Sequence, residues 1–233
     1  MCVPWNFRNN TKIRYTCSMI PKIVFFDCDG VLIGNETWDA VLNSIKFPRL
    51  ENERLTRLYY SGKLAYKDWI KKQEIYFRQN FTKDIYKKQI LSKIKINPEA
   101  KILVKFLANM GIPMAIISSG ETEYVKIVAK SLGIETFRVN TFFHFAQNGR
   151  FAHMDYIAED PDAKVIQIKE ICSLYGCQPE ETIFVGDSDN DIKAFQLTKH
   201  GILYSVGTKS SQKAAWKKVG KLTEVNKLLS YLL

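Results

Sequence analysis

Short apolar runs alternate with longer stretches of helical spacing along most of the 233-residue chain. Residues 22–27 form one such run, mostly apolar and ending in Asp27, with Gly30 shortly after it. This pattern predicts a buried parallel strand that opens into a loop at Asp27. Further strands are predicted at 113–118, 136–139, 182–186 and 201–206, and helices at 98–110, 121–132, 162–175 and 190–199. The alternation predicts an α/β fold with a doubly wound parallel sheet that is covered on both faces.

The segment between about residues 36 and 92 has a different pattern. It is rich in Lys, Glu, Tyr, Leu and Ile at helical spacing, with Pro48 and Gly62 as its only proline and glycine. This predicts an insert of three or four helices. We therefore expect a core formed by residues 19–34 and 97–233, a small helical domain at 35–96 and an arm at 1–18. The role of the arm stays open, and translation could also begin at Met19.

Two local signals refine this outline. Asn97 followed by Pro98 predicts a capped helix start. Asn148-Gly149 lies between alternating segments and predicts a β-hairpin. Ligands of such sheets bind beyond the carboxyl ends of the strands, and Asp27, Ser118 and Asp187 all lie at predicted strand ends.

Two groups of acids follow apolar strands. Asp27 and Asp29 are two residues apart, so in an extended segment their side chains point to the same side, while Cys28 points to the other side and is expected to pack in the core. The second group is Asp187, Asp189 and Asp191. Carboxylates crowded together repel one another, so a cation is expected among them. Ligation by oxygen alone favours Mg²⁺ or a similarly hard ion, and the second group lacks the glycine and glutamate of a calcium-binding EF-hand loop.

Composition narrows the function classes. A hydrophobic share of 46% and a charged share of 25% are typical of globular proteins. The net charge of +10 attracts anions, but the lysines are dispersed and no nucleic-acid-binding motif accompanies them, so no nucleic-acid partner is expected. No apolar run approaches a membrane span, so no membrane partner is expected either. Five cysteines without a Cys-x-x-Cys pair favour a cytoplasmic location, and the three histidines show no metal-ligand spacing.

The two acidic groups, together with Ser118 and with Lys164 in the sequence Asp162-Ala-Lys164, resemble the haloacid dehalogenase-like hydrolase superfamily. The four short motifs occur in the family order across residues 22 to 206. Each motif alone is weak, and their combination is specific. The resemblance implies a Rossmann-like core with a helical cap, and a phosphatase that acts on a small phosphorylated substrate.

The resemblance also implies roles for individual residues. Asp27 would be the nucleophile, and Asp29 would be the acid for the leaving group and the base for water. The implied magnesium ligands are Asp27, the Asp29 carbonyl and Asp187, with Asp191 in support. Phosphoryl contacts are implied for Ser118, the Ser119 backbone amide and Lys164, and a positioning role for Asn190.

Within the superfamily, Asn35-Glu36-Thr37, Gly62-Lys63-Leu64 and the later hairpin resemble the phosphoserine phosphatase branch. Glu36 matches a glutamate of that branch that contacts substrate. Two departures concern substrate binding: Gln73 stands where the branch has an arginine, and Ser119 replaces a glycine. Because arginine would pair with a substrate carboxylate, phosphoserine is expected to be a poor substrate.

Several alternatives stay open. A phosphotransferase, a phosphatase of macromolecules and an inactive phosphate-binding module share the same core. A dehalogenase is disfavoured by Asp29, and a P-type pump by the lack of an apolar span. The sequence does not identify the physiological substrate or the oligomeric state.

Overall fold

The computed structural model describes residues 20–34 and 37–232, and over these ranges the chain builds one seven-stranded sheet. The predicted arm, Met19 and Glu36 lie outside the described residues. The strand order is β4-β3-β2-β1-β5-β6-β7. The strands are β1 (Val24–Phe26), β2 (Met114–Glu121), β3 (Thr136–Phe145), β4 (Phe151–Tyr156), β5 (Ile183–Gly186), β6 (Gly201–Tyr204) and β7 (Lys217–Val219).

The sheet is parallel except at one edge. β1 pairs in parallel with both β2 and β5, whereas β3 and β4 are antiparallel. A tight turn can join only antiparallel strands, which explains the exception and confirms the predicted hairpin. Because β1 is central and the chain moves outward from it in both directions, its carboxyl end is the point where the connections diverge.

Helices cover both faces of the sheet, as the sequence predicts. They are α1 (Thr37–Ser44), α2 (Arg49–Tyr60), α3 (Tyr66–Asn80), α4 (Lys83–Ile85), α5 (Pro98–Asn109), α6 (Thr122–Leu132), α7 (Asp160–Tyr175), α8 (Ile192–Thr198), α9 (Lys209–Ala214) and α10 (Thr223–Leu232). Successive residues of β1 point to opposite faces. Val24 and Phe26 pack with α5, α6 and α10, whereas Ile23 and Phe25 pack with α7 and α8. The two layers thus fix both faces of the strand that carries Asp27.

Several element bounds differ from the predictions. β2 continues three residues beyond Ser118, although its pairing with β3 becomes irregular there. β3 runs through to Phe145, because the predicted strand at 136–139 and the first arm of the hairpin are continuous. The predictions stop at residue 206 and miss α9, β7 and α10. Lys217 and Lys218 are exposed on the edge strand β7, so no apolar run marks it.

The insert consists of α1, α2, α3 and α4, with α4 continuing as a π-helical turn (Tyr86–Ile90) and a 3₁₀ turn (Leu91–Lys93). Its ends are adjacent, since Ile33 forms a bridge with Ile96 and the Asn97 amide donates to the Leu32 carbonyl at 2.9 Å. The Asn97 side chain also caps α5 as predicted. The exact division into domains stays a prediction.

An aromatic cluster joins the insert to the β3–β4 hairpin. The buried ring of Phe77 on α3 lies 5.5 Å from that of Phe143 and 5.0 Å from that of Phe151, both on the hairpin. The same ring contacts Trp38 and Phe81. The insert therefore shares its hydrophobic core with the edge of the sheet.

None of the helices in the described part of the chain combines the length and apolar character that a membrane crossing requires.

Phe77→Ala should lower the free energy of unfolding by about 3–5 kcal/mol, because it removes a fully buried ring from a packed aromatic cluster. Ile75→Ala is the matched control, since Ile75 lies on the same helix and is 57% exposed; it should change stability by about 0.5 kcal/mol or less. Urea unfolding measures both variants. Equal losses would show that the aromatic cluster does not hold the insert in place.

Candidate active site

The first acids of the two groups meet where β1 and β5 end. Asp27 directly follows β1 and Asp187 directly follows β5, and the Asp27 amide donates to the Val185 carbonyl at 2.9 Å. Carboxylate oxygens of Asp27, Asp187 and Asp191 lie within 4.8 Å of one another. The cluster offers only oxygen ligands, so it can hold a hard metal ion.

Gly30 allows the loop that follows Asp29 to lie close to Asp187. It has a φ of +72°, and a Cβ at this position would lie 2.1 Å from Oδ2 of Asp187. Only glycine combines that backbone conformation with the absence of a side chain. The loop after Asp29 can therefore pass directly over the second acidic group.

Lys164, on α7, supplies the opposite charge. Its side chain is fully buried, and Nζ lies 2.8 Å from Oδ2 of Asp27 and 2.5 Å from Oδ1 of Asp191. Burial alone lowers the pKa of Lys164, but the Asp191 and Asp27 carboxylates outweigh it and raise that pKa, so the ammonium stays charged. Burial also raises the pKa of Asp27. Lys164 lowers this pKa, whereas the carboxylates of Asp191 and Asp187 raise it further. A bound cation would relieve this charge crowding.

Asp191 shapes the loop that carries Asp187. Its Oδ2 accepts hydrogen bonds from the amides of Asp187 and Ser188 at 2.9 and 3.1 Å, while Oδ1 pairs with Lys164. Both oxygens of this fully buried carboxylate are therefore engaged. This geometry suits the supporting role that the sequence suggests better than direct metal ligation.

Two hydrogen bonds that the sequence does not predict hold the carboxyl group of Asp29. Oδ1 accepts from the Thr37 amide at 2.7 Å, and Oδ2 accepts from the Tyr124 hydroxyl. Burial raises the pKa of Asp29, and these hydrogen bonds act in the opposite direction. No local motif marks Tyr124, because α6 brings it to Asp29 from 95 residues away. Cys28, between the two acids, is buried in the core as predicted.

Ser118, Ser119 and Asn190 complete the acidic end of the site. Ser118 is buried, and its Oγ accepts from the Gly120 amide at 3.0 Å. Asn190 donates to Oγ of Ser119 at 3.4 Å and accepts from Nζ of Lys164 at 3.2 Å. The structure thus brings these predicted residues together around Asp27.

A cavity of about 270 Å³ connects the acids to the helical insert. Its floor contains Asp27, Asp29 and Asp187, and its walls include Ser118, Ser119 and Asn190. The insert contributes the following side chains: Trp38, Asp39, Asn52, Thr56, Tyr60, Tyr66, Trp69, Ile70 and Gln73. Because so much of the cavity belongs to the insert, the insert has the position of a lid over the acids.

Gln73 lies in this wall, as its predicted role requires. The side chain is fully buried, and neither its amide nitrogen nor its amide oxygen has a hydrogen-bond partner. Nε1 of Trp69 and Oδ1 of Asn52 are likewise buried without a partner. Buried polar groups are normally satisfied, so these atoms are available to form hydrogen bonds with a polar group of a ligand.

Among the described residues that line the cavity, none is an arginine or a lysine. Arg78, the nearest arginine to Gln73 along the helix, is 58% exposed and pairs with Glu74 at 3.7 Å. It therefore does not take the place of the arginine that the phosphoserine phosphatase branch is expected to have at the position of Gln73.

Asp160 is a further cavity residue that sequence reasoning missed. It accepts hydrogen bonds from the Tyr66 hydroxyl at 2.8 Å and from the side-chain amide of Asn140 (Nδ2) at 2.7 Å. Burial raises the pKa of Asp160. Because Tyr66 belongs to α3 and Asn140 to β3, Asp160 ties the insert to the sheet beside the cavity.

Lys164→Met should lower the free energy of unfolding by about 3–5 kcal/mol, because Asp27 and Asp191 lose their buried cation. The surface pair Lys193–Asp162, at 2.5 Å with both side chains 49% exposed, provides the control. Lys193→Met should cost less than about 1 kcal/mol. Urea unfolding without divalent cations measures both, and a small loss for Lys164→Met would contradict the proposed charge balance.

The chain is similar in sequence to a known family and to several known phosphatases. A model of the haloacid dehalogenase-like hydrolase family matches residues 21–197. A phosphoserine phosphatase from Methanocaldococcus jannaschii is 26% identical over 181 residues, which cover 75% of this chain and 81% of that protein. A phosphoglycolate phosphatase from Haemophilus influenzae is 23% identical over 193 residues, covering 74% and 80%.

The fold has close counterparts among solved structures. A phospho-aspartyl intermediate analogue of phosphoserine phosphatase superposes with a TM-score of 0.76 at 23% identity, covering 89% of this chain and 98% of the other. A substrate-bound phosphoserine phosphatase gives 0.75 at 21% identity, covering 91% and 98%. The family match, the parallel sheet and the residues assembled at its carboxyl end lead to one conclusion: this chain belongs to the haloacid dehalogenase-like hydrolase family, in its phosphoserine phosphatase-like branch, and is a phosphatase.

Proposed function

We propose that this phosphatase hydrolyses a small phosphomonoester by forming a phospho-aspartyl intermediate on Asp27, with Mg²⁺ as its cofactor. The main support is the position of Asp27, a buried carboxylate that contacts Lys164 and faces a cavity shared with Asp29. A nucleophile and an acid thus face the cavity, and the buried ammonium of Lys164 lies 2.8 Å from Oδ2 of the nucleophile. Phosphoryl transfer requires chiefly such positioning and charge stabilisation.

In the first step a carboxylate oxygen of Asp27 bonds to phosphorus, the ester P–O bond breaks, and the leaving alkoxide takes a proton from Asp29. In the second step Asp29 accepts a proton from water, which attacks the acyl phosphate and releases inorganic phosphate and free Asp27. The raised pKa of Asp29 favours the protonated form that the first step needs. The Thr37 amide and the Tyr124 hydroxyl hold its carboxyl group in a defined orientation.

The chain's own residues can bind the transferring group. Ser118 lines the cavity together with Asp27, the Ser119 amide follows directly in the chain, and the ammonium of Lys164 lies 2.8 Å from Oδ2 of Asp27. Asn190 links Ser119 to Lys164 through its side-chain hydrogen bonds. These donors would stabilise the charge on the phosphoryl oxygens.

The acidic cluster fits Mg²⁺, since all its ligand atoms are oxygens and it has a surplus of negative charge. We assign Asp27, the Asp29 carbonyl and Asp187 as ligands, with Asp191 holding the loop. The bound ion would neutralise phosphoryl charge and orient the in-line attack.

The side chains that the insert contributes to the cavity indicate which kind of leaving group it would bind. Its unpartnered polar atoms belong to Gln73, Trp69 and Asn52, and all three side chains are uncharged. Asp39 adds a carboxylate to this wall of the cavity, and a carboxylate repels anions. We infer a leaving group with hydroxyl or amino functions and no carboxylate, such as a sugar, polyol or amino-alcohol phosphate. Glu36, outside the described residues, was predicted to contact the same group.

Phosphoserine itself is a second candidate for the substrate. It is favoured by the relatives, several of which are phosphoserine phosphatases. A phosphotransferase, a phosphatase of macromolecules and an inactive binding module are less well supported, because the cavity is small and the acids and Lys164 are all in place.

We also propose that the enzyme works in the cytoplasm. Cys28, Cys172 and Cys177 are free thiols in the structure, as is usual in a reducing compartment.

Asp27→Asn and Asp29→Asn should separate the two carboxylates by role. Asp27→Asn should abolish turnover of every substrate, because an amide is a poor nucleophile of nearly the same volume. Asp29→Asn should hydrolyse alkyl phosphates at least about 100-fold more slowly. The same variant should still form phosphoenzyme from an aryl phosphate, whose leaving group needs no proton.

Steady-state and burst kinetics with an alkyl and an aryl phosphate measure both effects. Asp189→Asn serves as a control for the loss of a carboxylate, because Asp189 bonds Thr208 and does not line the cavity. Full activity of Asp27→Asn would rule out the mechanism.

The native protein should discriminate against substrates that carry a carboxylate. We expect kcat/KM for phosphoserine to lie below that for the best phosphate with an uncharged or amino tail by about 30- to 1000-fold, corresponding to about 2–4 kcal/mol for the missing charged contact. Gln73→Arg should narrow the gap by supplying a charged, two-pronged contact. Gln147→Arg adds the same charge on the exposed hairpin turn and should leave the ratio unchanged.

The native protein gives a result even if Gln73→Arg folds poorly. A native preference for phosphoserine over the whole panel would show that the inference from Gln73 is wrong and would favour the second candidate.

A further inference from the structure

The β3–β4 hairpin carries a cluster of ligand side chains on its outer face. His144, His153 and Asp155 are all exposed, and none of them lines the active-site cavity. We propose that these three residues form a second metal site, which binds a transition-metal cation such as Zn²⁺.

Strand pairing brings the three side chains together. On β3, Phe143 and Phe145 face the aromatic cluster of the insert, so His144 between them points outward. His144 and His153 are direct cross-strand partners. Asp155 is two residues beyond His153 on β4 and therefore lies on the same face. The histidines are nine positions apart and show no ligand spacing along the chain; only the register of the hairpin makes them neighbours.

The donor atoms converge on one point. The two imidazole rings stack with centroids 4.3 Å apart and planes 10° from parallel. Nε2 of His144 lies 2.9 Å from Oδ2 of Asp155, and Nε2 of His153 lies 3.8 Å from the same oxygen. One ligand atom from each residue falls within 4.8 Å of the others. Ligands around a tetrahedral zinc ion are about 3.3 Å apart, so small side-chain rotations would suffice.

The ligand types distinguish this site from the acidic cluster. Imidazole favours Zn²⁺, Ni²⁺ and Cu²⁺, whereas carboxylates and carbonyls suit Mg²⁺. Two histidines and one carboxylate supply three ligands and leave a fourth position for water. The chain would therefore hold different metals at the two places, and zinc would bind the hairpin even when magnesium is abundant.

Metal binding here would also affect stability. A cation ligated by His144 and His153 would link β3 to β4, and the other face of this hairpin packs against Phe77 in the insert. Since a ligand that binds only the folded state stabilises it, zinc should raise the melting temperature of the protein.

The test is a zinc titration of the full chain by calorimetry in a large excess of Mg²⁺, which occupies the acidic cluster. His144→Ala and His153→Ala should each weaken zinc binding by at least about tenfold and reduce the zinc-induced rise in melting temperature accordingly. His200→Ala is the matched control, because His200 lies elsewhere, against Trp216 and 3.1 Å from the Thr198 carbonyl. It should bind zinc as the native protein does.

All three variants should keep native phosphatase activity with Mg²⁺, since none of the three histidines lines the cavity. Imidazole NMR signals of His144 and His153, but not of His200, should shift when zinc is added. Zinc affinity that is equal in the native protein, His144→Ala and His153→Ala would overturn the proposal, and the cluster would then be only a surface pair of histidines with Asp155. This result would not affect the proposed function, which rests on other residues.

Discussion

The buried contact of Lys164 with Asp27 and Asp191 is the interaction on which the rest of the site depends. Parallel strands end at the same edge, so the acids that follow β1 and β5 come within 4.8 Å of one another. Such crowding is costly in a buried place unless positive charge compensates for it. Lys164 supplies that charge from α7 and at the same time joins the helix to both acidic loops. One residue thus meets a requirement of folding and, in the proposed mechanism, a requirement of phosphoryl transfer.

A second constraint holds the insert over the cavity. It is the aromatic core that the insert shares with the β3–β4 hairpin. Phe77 packs on rings from β3 and β4, and the Tyr66 hydroxyl bonds to Asp160 next to the active site. These contacts place Gln73 and Trp69 above the acids. In the proposed mechanism, chemistry and specificity therefore have separate structural origins: strand ends would hold the reacting groups, and α3 would present the side chains that select the leaving group.

Much of the fold and the acidic site could be predicted from the sequence, because the signals were local. Apolar runs ending in Asp27 and Gly186 fixed the two strand ends, and Asn148-Gly149 marked the hairpin. The remainder needed three-dimensional information. Tyr124 reaches Asp29 across 95 residues, and Asp160 meets Tyr66 across 94. The pairing of His144 with His153 depends on hairpin register, and β7 has two exposed lysines in place of an apolar run.

In the proposed mechanism Asp27 accepts the phosphoryl group, and the reaction needs a divalent cation. Rapid quenching with acid during turnover of an aryl phosphate, followed by peptide mass spectrometry, measures this directly. With Mg²⁺ present, the peptide that contains Asp27 should gain the mass of one phosphoryl group, and the gain should disappear with a chelator or in Asp27→Asn. A phosphoryl group found on another residue, or turnover undiminished in chelator, would contradict this mechanism.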